Sequence, residues 1–226
     1  MNAQLQWKNF SFKLVCLFFS YLSWALGIGL ACSRSWRVWE FNSDVVPIVF
    51  IGLWDVFFSQ TSNISGSMAE VPMHCRINGS WVISDEIQYG QDLILLANFM
   101  KSVALVFGSL ALFISCINGP YPDFLQSCYN ISAFFLFLSS SCTMVTVSWN
   151  FTVDFYGETT LDFPLSFPVE KEMLRKKHLS YVFPLGIVTA TLSLTSAAMF
   201  FCETRSLKHW NREKPMAVAE HSKQKV

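Results

Sequence analysis

The sequence predicts an α+β membrane protein, a four-helix transmembrane bundle carrying a small extracellular antiparallel β-sheet. Three observations predict it. Hydrophobic residues make up 52% of the 226 and charged residues only 14%, against about 25% charged in an ordinary soluble domain. Four stretches reach the roughly 20 apolar residues that a helix needs to cross a hydrocarbon core about 30 Å thick. Between the first and second of these, residues 33–92 alternate strand-like runs with turn residues. The charge balance, 16 Lys and Arg against 16 Asp and Glu, excludes a nucleic-acid binder, whose affinity comes from clustered positive charge.

Residues 1–13 form a short N-terminal segment. The spans follow at about 14–32, 93–117, 131–149 and 181–202, and residues 203–226 form a tail. The first and third spans hold no charge, and Pro184 in the fourth is tolerable because neighbouring helices satisfy freed backbone groups. Lys101 lies about two turns into the second span. Its stem is long enough to snorkel to the interface, and a buried partner is the alternative. Basic residues favour the cytoplasm. Lys8 and Lys13 precede the first span, and Arg205, Lys208, Arg212, Lys214, Lys223 and Lys225 follow the fourth. Both termini are therefore expected inside, with loops 33–92 and 150–180 outside. The basic group at Lys171, Arg175, Lys176 and Lys177 runs against that rule. The first span could also be read as a signal peptide, but its 19 apolar residues exceed the usual core of one.

The first loop is too long for a plain connector. Its extended runs are 36–41, 45–50 and 80–83, separated by Asn42-Ser43-Asp44, Ser65-Gly66-Ser67 and Asn78-Gly79-Ser80. Asn-Gly between extended runs is a hairpin signal, so a small antiparallel sheet is expected here.

Within that loop stand Trp36 and Gly52-Leu53-Trp54, with seventeen residues between the two Trp, and later Cys75. With Gln91-Asp92-Leu93, Ala97, Val147-Ser148-Trp149 and Asp154-Phe155-Tyr156, the chain resembles the claudin family over about residues 8–203. Trp36, Gly52, Leu53, Trp54 and Cys75 match five of the six marked positions of that family's first loop. The sixth, a cysteine, falls at Phe57, so the disulfide that the resemblance implies cannot form there. Cys75 could pair with Cys32, pair between chains or remain a thiol. Val153 stands where the family has Arg before Asp-Phe-Tyr.

The resemblance implies a tight-junction protein of the plasma membrane. Such proteins associate with themselves or other claudins side by side and across the intercellular gap, forming a paracellular barrier or ion pathway. Selectivity then depends on charge at the pore wall. The first loop carries seven acids against three Arg, net −4, while Arg76 follows the cysteine. Asp55 and Arg76 are the candidate pore charges, and they conflict in sign. Phe155 and Tyr156 are candidates for contact between neighbours. Trp36 and Trp54 are more simply read as packing the sheet onto the helices.

Sequons occur at Asn9, Asn63, Asn78, Asn130 and Asn150, of which Asn63 and Asn78 are accessible by topology. Cys116 and Cys202, at the inner ends of spans two and four, are candidate palmitoylation sites. The C-terminal Lys225-Val226 lacks the Tyr that most claudins carry before Val, so PDZ scaffold binding is expected to be weak or absent. The basic tail suits membrane lipid of the inner leaflet. No enzyme is expected. His74-Cys75 falls short of the four ligands of a structural zinc site, and no phosphate loop or nucleophile motif occurs. No cofactor is implied. The rival reading is an accessory subunit of a membrane channel or receptor.

Overall fold

The structure, a computed structural model, describes residues 3–64, 67–77, 81–117, 121–157 and 161–223, and the side chains of 10–61, 69–77, 81–117, 121–157 and 161–208. Among the described residues the helices are α1 (Ala3–Ala31), α2 (Asp85–Cys116), α3 (Pro122–Tyr156) and α4 (Val182–Lys223). The strands are β1 (Arg37–Phe41), β2 (Ile48–Ile51), β3 (Asp55–Ile64), β4 (Ser67–Arg76) and β5 (Leu174–His178). All four helices hold stretches long and apolar enough to cross a membrane, Phe10–Ala31, Asp85–Cys116, Pro122–Tyr156 and Val182–Lys208. The chain is a multi-pass membrane protein with a small antiparallel sheet. It packs as two compact units.

The first unit comprises Met1–Ala25, Asn98–Ser140 and Ala190–Val226. In lipid, apolar contact alone does not favour one helix over the solvent, so packing relies on small residues and hydroxyl groups. That is what this unit holds. Ser20 shares a 2.5 Å hydrogen bond with Ser196, and Ser23 another of 2.5 Å with Ser193. Ser196 also donates to the Cys16 carbonyl, Ser132 to that of Ala104 and Ser140 to that of Ala190. Small Ala104, Ala111, Ala133 and Ala197 are buried with Tyr129, Leu136 and Phe200. A Cβ added at Gly108 would come 3.2 Å from the Phe200 ring, so this is a close crossing. Lys101 does not snorkel. Its side chain is wholly enclosed, and Nζ reaches the Ser23 carbonyl at 3.5 Å.

The second unit comprises Leu26–Ala97 and Ser141–Thr189. Its sheet runs β4-β3-β2-β1-β5, with every pair antiparallel. Strand alternation sends Trp39, Phe41, Val49, Ile51, Val56 and Phe58 to one buried face. Loop aromatics close over them. Phe163 lies 5.9 Å from the Trp39 ring, 5.7 Å from Trp81 and 4.6 Å from Phe167. These are the offset and edge geometries that aromatic rings prefer.

The extended run expected at 36–41 becomes β1, and that at 45–50 becomes β2, starting three residues later. The run expected at 80–83 is corrected. Its described part forms only an isolated bridge between Val82 and Asp162, because its indole at Trp81 packs on Phe163 and Phe167 instead of extending the sheet. The Asn78-Gly79-Ser80 signal lies outside the described residues. The ten-residue strands β3 and β4 and the contribution of β5 from the second loop are additions that the sequence did not suggest. The helices also outrun the apolar stretches. α2 begins at Asp85, where Asp85 and Glu86 in the first turn suit the helix dipole, and α3 continues to Tyr156.

Candidate contact surface on the sheet

The face of the sheet turned away from the core is built by the same alternation. It takes Val38 and Glu40 from β1, Ile48 and Phe50 from β2, Asp55 and Phe57 from β3, and His74 and Arg76 from β4. The register sets Val38 against Phe50, Phe50 against Phe57, and Phe57 against His74. An apolar row of Val38, Phe50 and Phe57 therefore crosses three strands and ends at His74 on the fourth; Phe50 is 39% exposed, as is Ile48 on the same face.

Charge frames that row. The Phe57 ring lies 4.7 Å from the His74 ring, and the Arg34 guanidinium stands 4.2 Å from its centroid. His74 Nε2 is 3.1 Å from Asp55 Oδ1. On the β5 side, Glu40 accepts from Arg175 Nη1 at 2.9 Å and lies 2.8 Å from His178 Nε2. The hydrogen bond to His178, helped by Arg175 and Lys176, holds the Glu40 carboxyl below its ordinary pKa. The candidate pore charges Asp55 and Arg76 are direct cross-strand neighbours. The loop sum of −4 does not describe this face, because Glu40 meets bases from the second loop and Asp55 meets His74.

The motif residues of the first loop do a different task. Trp36 Nε1 donates to the Leu30 carbonyl at 3.0 Å, and Trp54 Nε1 to the Ala31 carbonyl at 2.9 Å. Both acceptors lie in the last turn of α1, where carbonyls lack helical partners. A Cβ added at Gly52 would come 3.0 Å from the carbonyl oxygens of both Asp55 and Ser33, so this approach of two backbones excludes a side chain. Leu53 is buried, and its carbonyl accepts from Gln91 Nε2 at 2.5 Å. Trp36, Gly52, Leu53 and Trp54 together clip the start of the sheet to the end of α1.

All seven cysteines, each among the described residues, are free thiols, so the Cys75–Cys32 pairing is not formed. Cys75 stands opposite Val56, while the Phe57–His74 pair occupies the neighbouring position of the ladder. Cys116 and Cys202 are exposed. Phe155 packs 4.9 Å from the Phe151 ring, while Tyr156, at the end of α3, is 81% exposed. Asn63 lies in β3 opposite Met68, with its side chain outside the described residues. Asn78 and the C-terminal residues 224–226 lie wholly outside them.

Sequence reasoning missed a buried polar network. Arg37 Nη2 donates to Glu86 Oε1 at 2.8 Å and reaches Asn150 Oδ1 at 3.5 Å. Asn150 Nδ2 donates to the carbonyls of Glu86 and Thr146 at 2.9 and 3.1 Å. The Asn150 sequon is thus a buried structural amide. Nearby, Trp39 Nε1 donates to Asp154 Oδ1 at 2.9 Å, and Lys177 bonds the Asp154 backbone carbonyl. The available signal was period two, since Arg37 shares the inward face with Trp39 and Phe41.

No protein-family model matches this chain, and no curated protein matches it in sequence.

Proposed function

We propose that this chain is a cell-contact protein of claudin type. It sits in the plasma membrane at tight junctions with both termini cytoplasmic, associates with copies of itself or other claudins in one membrane and across the gap, and contributes to cell adhesion and a paracellular barrier or ion pathway. The observation that carries this reading is the open sheet face. Exposed apolar side chains cost solubility unless a partner covers them; Ile48 and Phe50 are exposed here, and Phe50 joins the half-buried Val38 and Phe57 in an apolar row continuous across strands. Its flanks, Glu40 with Arg175 on one side and Asp55 with its cross-strand neighbour Arg76 on the other, carry both signs of charge. That pattern suits a partner face of the same kind, with charge setting register and the rings supplying affinity.

The test is transepithelial resistance and the Na⁺/Cl⁻ dilution potential across a monolayer lacking its own claudins, with and without this chain at its contacts. A change in either is expected. Unchanged values, with surface delivery confirmed and the chain copurifying with a large channel, would overturn the reading in favour of an accessory subunit.

A further inference from the structure

We infer that the groove between α3 and α4 in the first unit is a binding site for one anionic phospholipid, with an acyl chain in the groove and the phosphate at Arg205. The inference rests on the four membrane-spanning helices and is independent of the contact function.

The groove encloses about 510 Å3, within the range of small-molecule sites. Its floor is Ala133, Ala197 and Ala198, and its walls are Phe134, Phe137 and Phe201. Both helices reach it by helical spacing. On α3 the series is Asn130, Ala133, Phe134, Phe137; on α4 it is Leu194, Ala197, Ala198, Phe201. The three alanines leave room for an added hydrocarbon chain between the rings. Seven residues on each helix correspond to about 10 Å of rise, most of the roughly 15 Å hydrocarbon depth of one leaflet. The groove therefore has the length of an acyl chain segment, running inward from the end of the spans that carries the basic tail.

The mouth is polar. Asn130, exposed, is the polar side chain of the lining. One turn beyond Phe201, Arg205 lays its guanidinium 4.6 Å from the Phe201 centroid, on the ring that walls the groove. Arg205 is exposed. The acid of that turn, Glu203, is half-buried, whereas Arg205 is exposed at the mouth. A cation and an amide above an apolar slot match a phosphodiester with its chain, since a guanidinium recognises phosphate oxygens well and basic groups between spans at the membrane surface hold anionic headgroups. A sterol would use Asn130 but leave Arg205 without an anion.

The test is native mass spectrometry of the full chain purified in detergent and offered equimolar phosphatidylserine and phosphatidylcholine of matched chains, with cholesterol offered in a parallel arm. The wild type is expected to retain one phosphatidylserine per chain in preference to phosphatidylcholine. Arg205→Ala is expected to lower that preference about fivefold, the factor that corresponds to about 1 kcal/mol per basic side chain at an anionic surface. Ala198→Phe fills the slot and is expected to lower retention of both lipids. Arg175→Ala, which removes a basic residue of the second unit, is expected to change neither. Should Ala198→Phe fail to fold, the exposed Arg205 decides alone. Equal retention of the two phospholipids by the wild type, an Arg205→Ala variant with unchanged preference, retention of cholesterol in place of phosphatidylserine, or a chain acylated at Cys202 that retains no phospholipid would each overturn the inference.

Discussion

In the unit of residues 1–25, 98–140 and 190–226, serine hydroxyls bond each other and backbone carbonyls between helices. In the unit of residues 26–97 and 141–189, a guanidinium, two buried acids and a group of indoles hold the sheet to the helix ends. The difference follows from what each must satisfy. A serine bond within lipid contributes about 0.6 kcal/mol, because the alternative state also finds partners. Many are therefore needed, and none is decisive. A buried ion pair is different. Removing one partner leaves the other desolvated and unpaired, at a cost of about 3–5 kcal/mol.

The largest expected break is Arg37→Ala, which takes the guanidinium from the buried Glu86 carboxylate. A loss of about 3–5 kcal/mol is of the order of a whole domain's stability, so surface biotinylation should find little of this variant delivered. Delivery at wild-type levels would mean the network is dispensable. Next comes Trp39→Phe, which keeps most of the ring packing but takes the donor from buried Asp154. About 1–3 kcal/mol is expected, read as a lowered thermal midpoint of the purified protein. Gly52→Ala should cost about as much, roughly 1–3 kcal/mol, since backbone must shift to admit the methyl group. Gly52→Ala with an unchanged midpoint would show that the clip has slack.

In the other unit, Ser23→Ala should cost only about 0.6 kcal/mol, and Ser23→Ala with Ser132→Ala should be additive to within about 0.5 kcal/mol. A loss above about 2 kcal/mol from Ser23→Ala alone would erase the contrast between the units.

The smallest effect is at the rim. The folded-state pKa of Glu40 lies below its ordinary value, so its stabilising share is present above the ordinary carboxylate range, about 4.3, and is lost as pH falls through the lowered folded value. Glu40→Gln should therefore lower the thermal midpoint slightly at neutral pH, where that share is present, and flatten part of its decline on the acid side. An acid-side decline identical in Glu40→Gln would remove Glu40 as its source.

Hydropathy made the four spans legible, because membrane length and apolar composition are local properties. It set the start of α2 and the end of α3 too short, since the first turn of α2 and the last turns of α3 carry Asp85, Glu86, Asn150 and Asp154 and do not count as apolar. Period two made β1 and β2 legible. It failed for β3 and β4, whose outer halves read as polar turn sequence, Ser-Gln-Thr-Ser-Asn, and form their ladder with each other. β5 was hidden because Arg-Lys-Lys resembles a solvated charge run. Two of the three bases there meet an acid only after the fold forms, Arg175 with Glu40 and Lys177 with Asp154. The same pairing accounts for a basic cluster in a segment where orientation rules would not place one. The contact face itself was half legible. Asp55 and Arg76 were singled out as charges, but their direct opposition, and the ring row beside them, depend on a register that no single strand reveals.

The most direct test of the contact face is enrichment at cell borders in a mixed culture of cells expressing the chain with two different fluorescent tags. Phe50→Asp places a charge in the apolar row, while Val82→Asp places one on an exposed residue outside the sheet. With matched surface amounts, wild type and Val82→Asp should accumulate where two expressing cells meet, and Phe50→Asp should spread evenly over the membrane. Accumulation of Phe50→Asp equal to wild type would contradict the account.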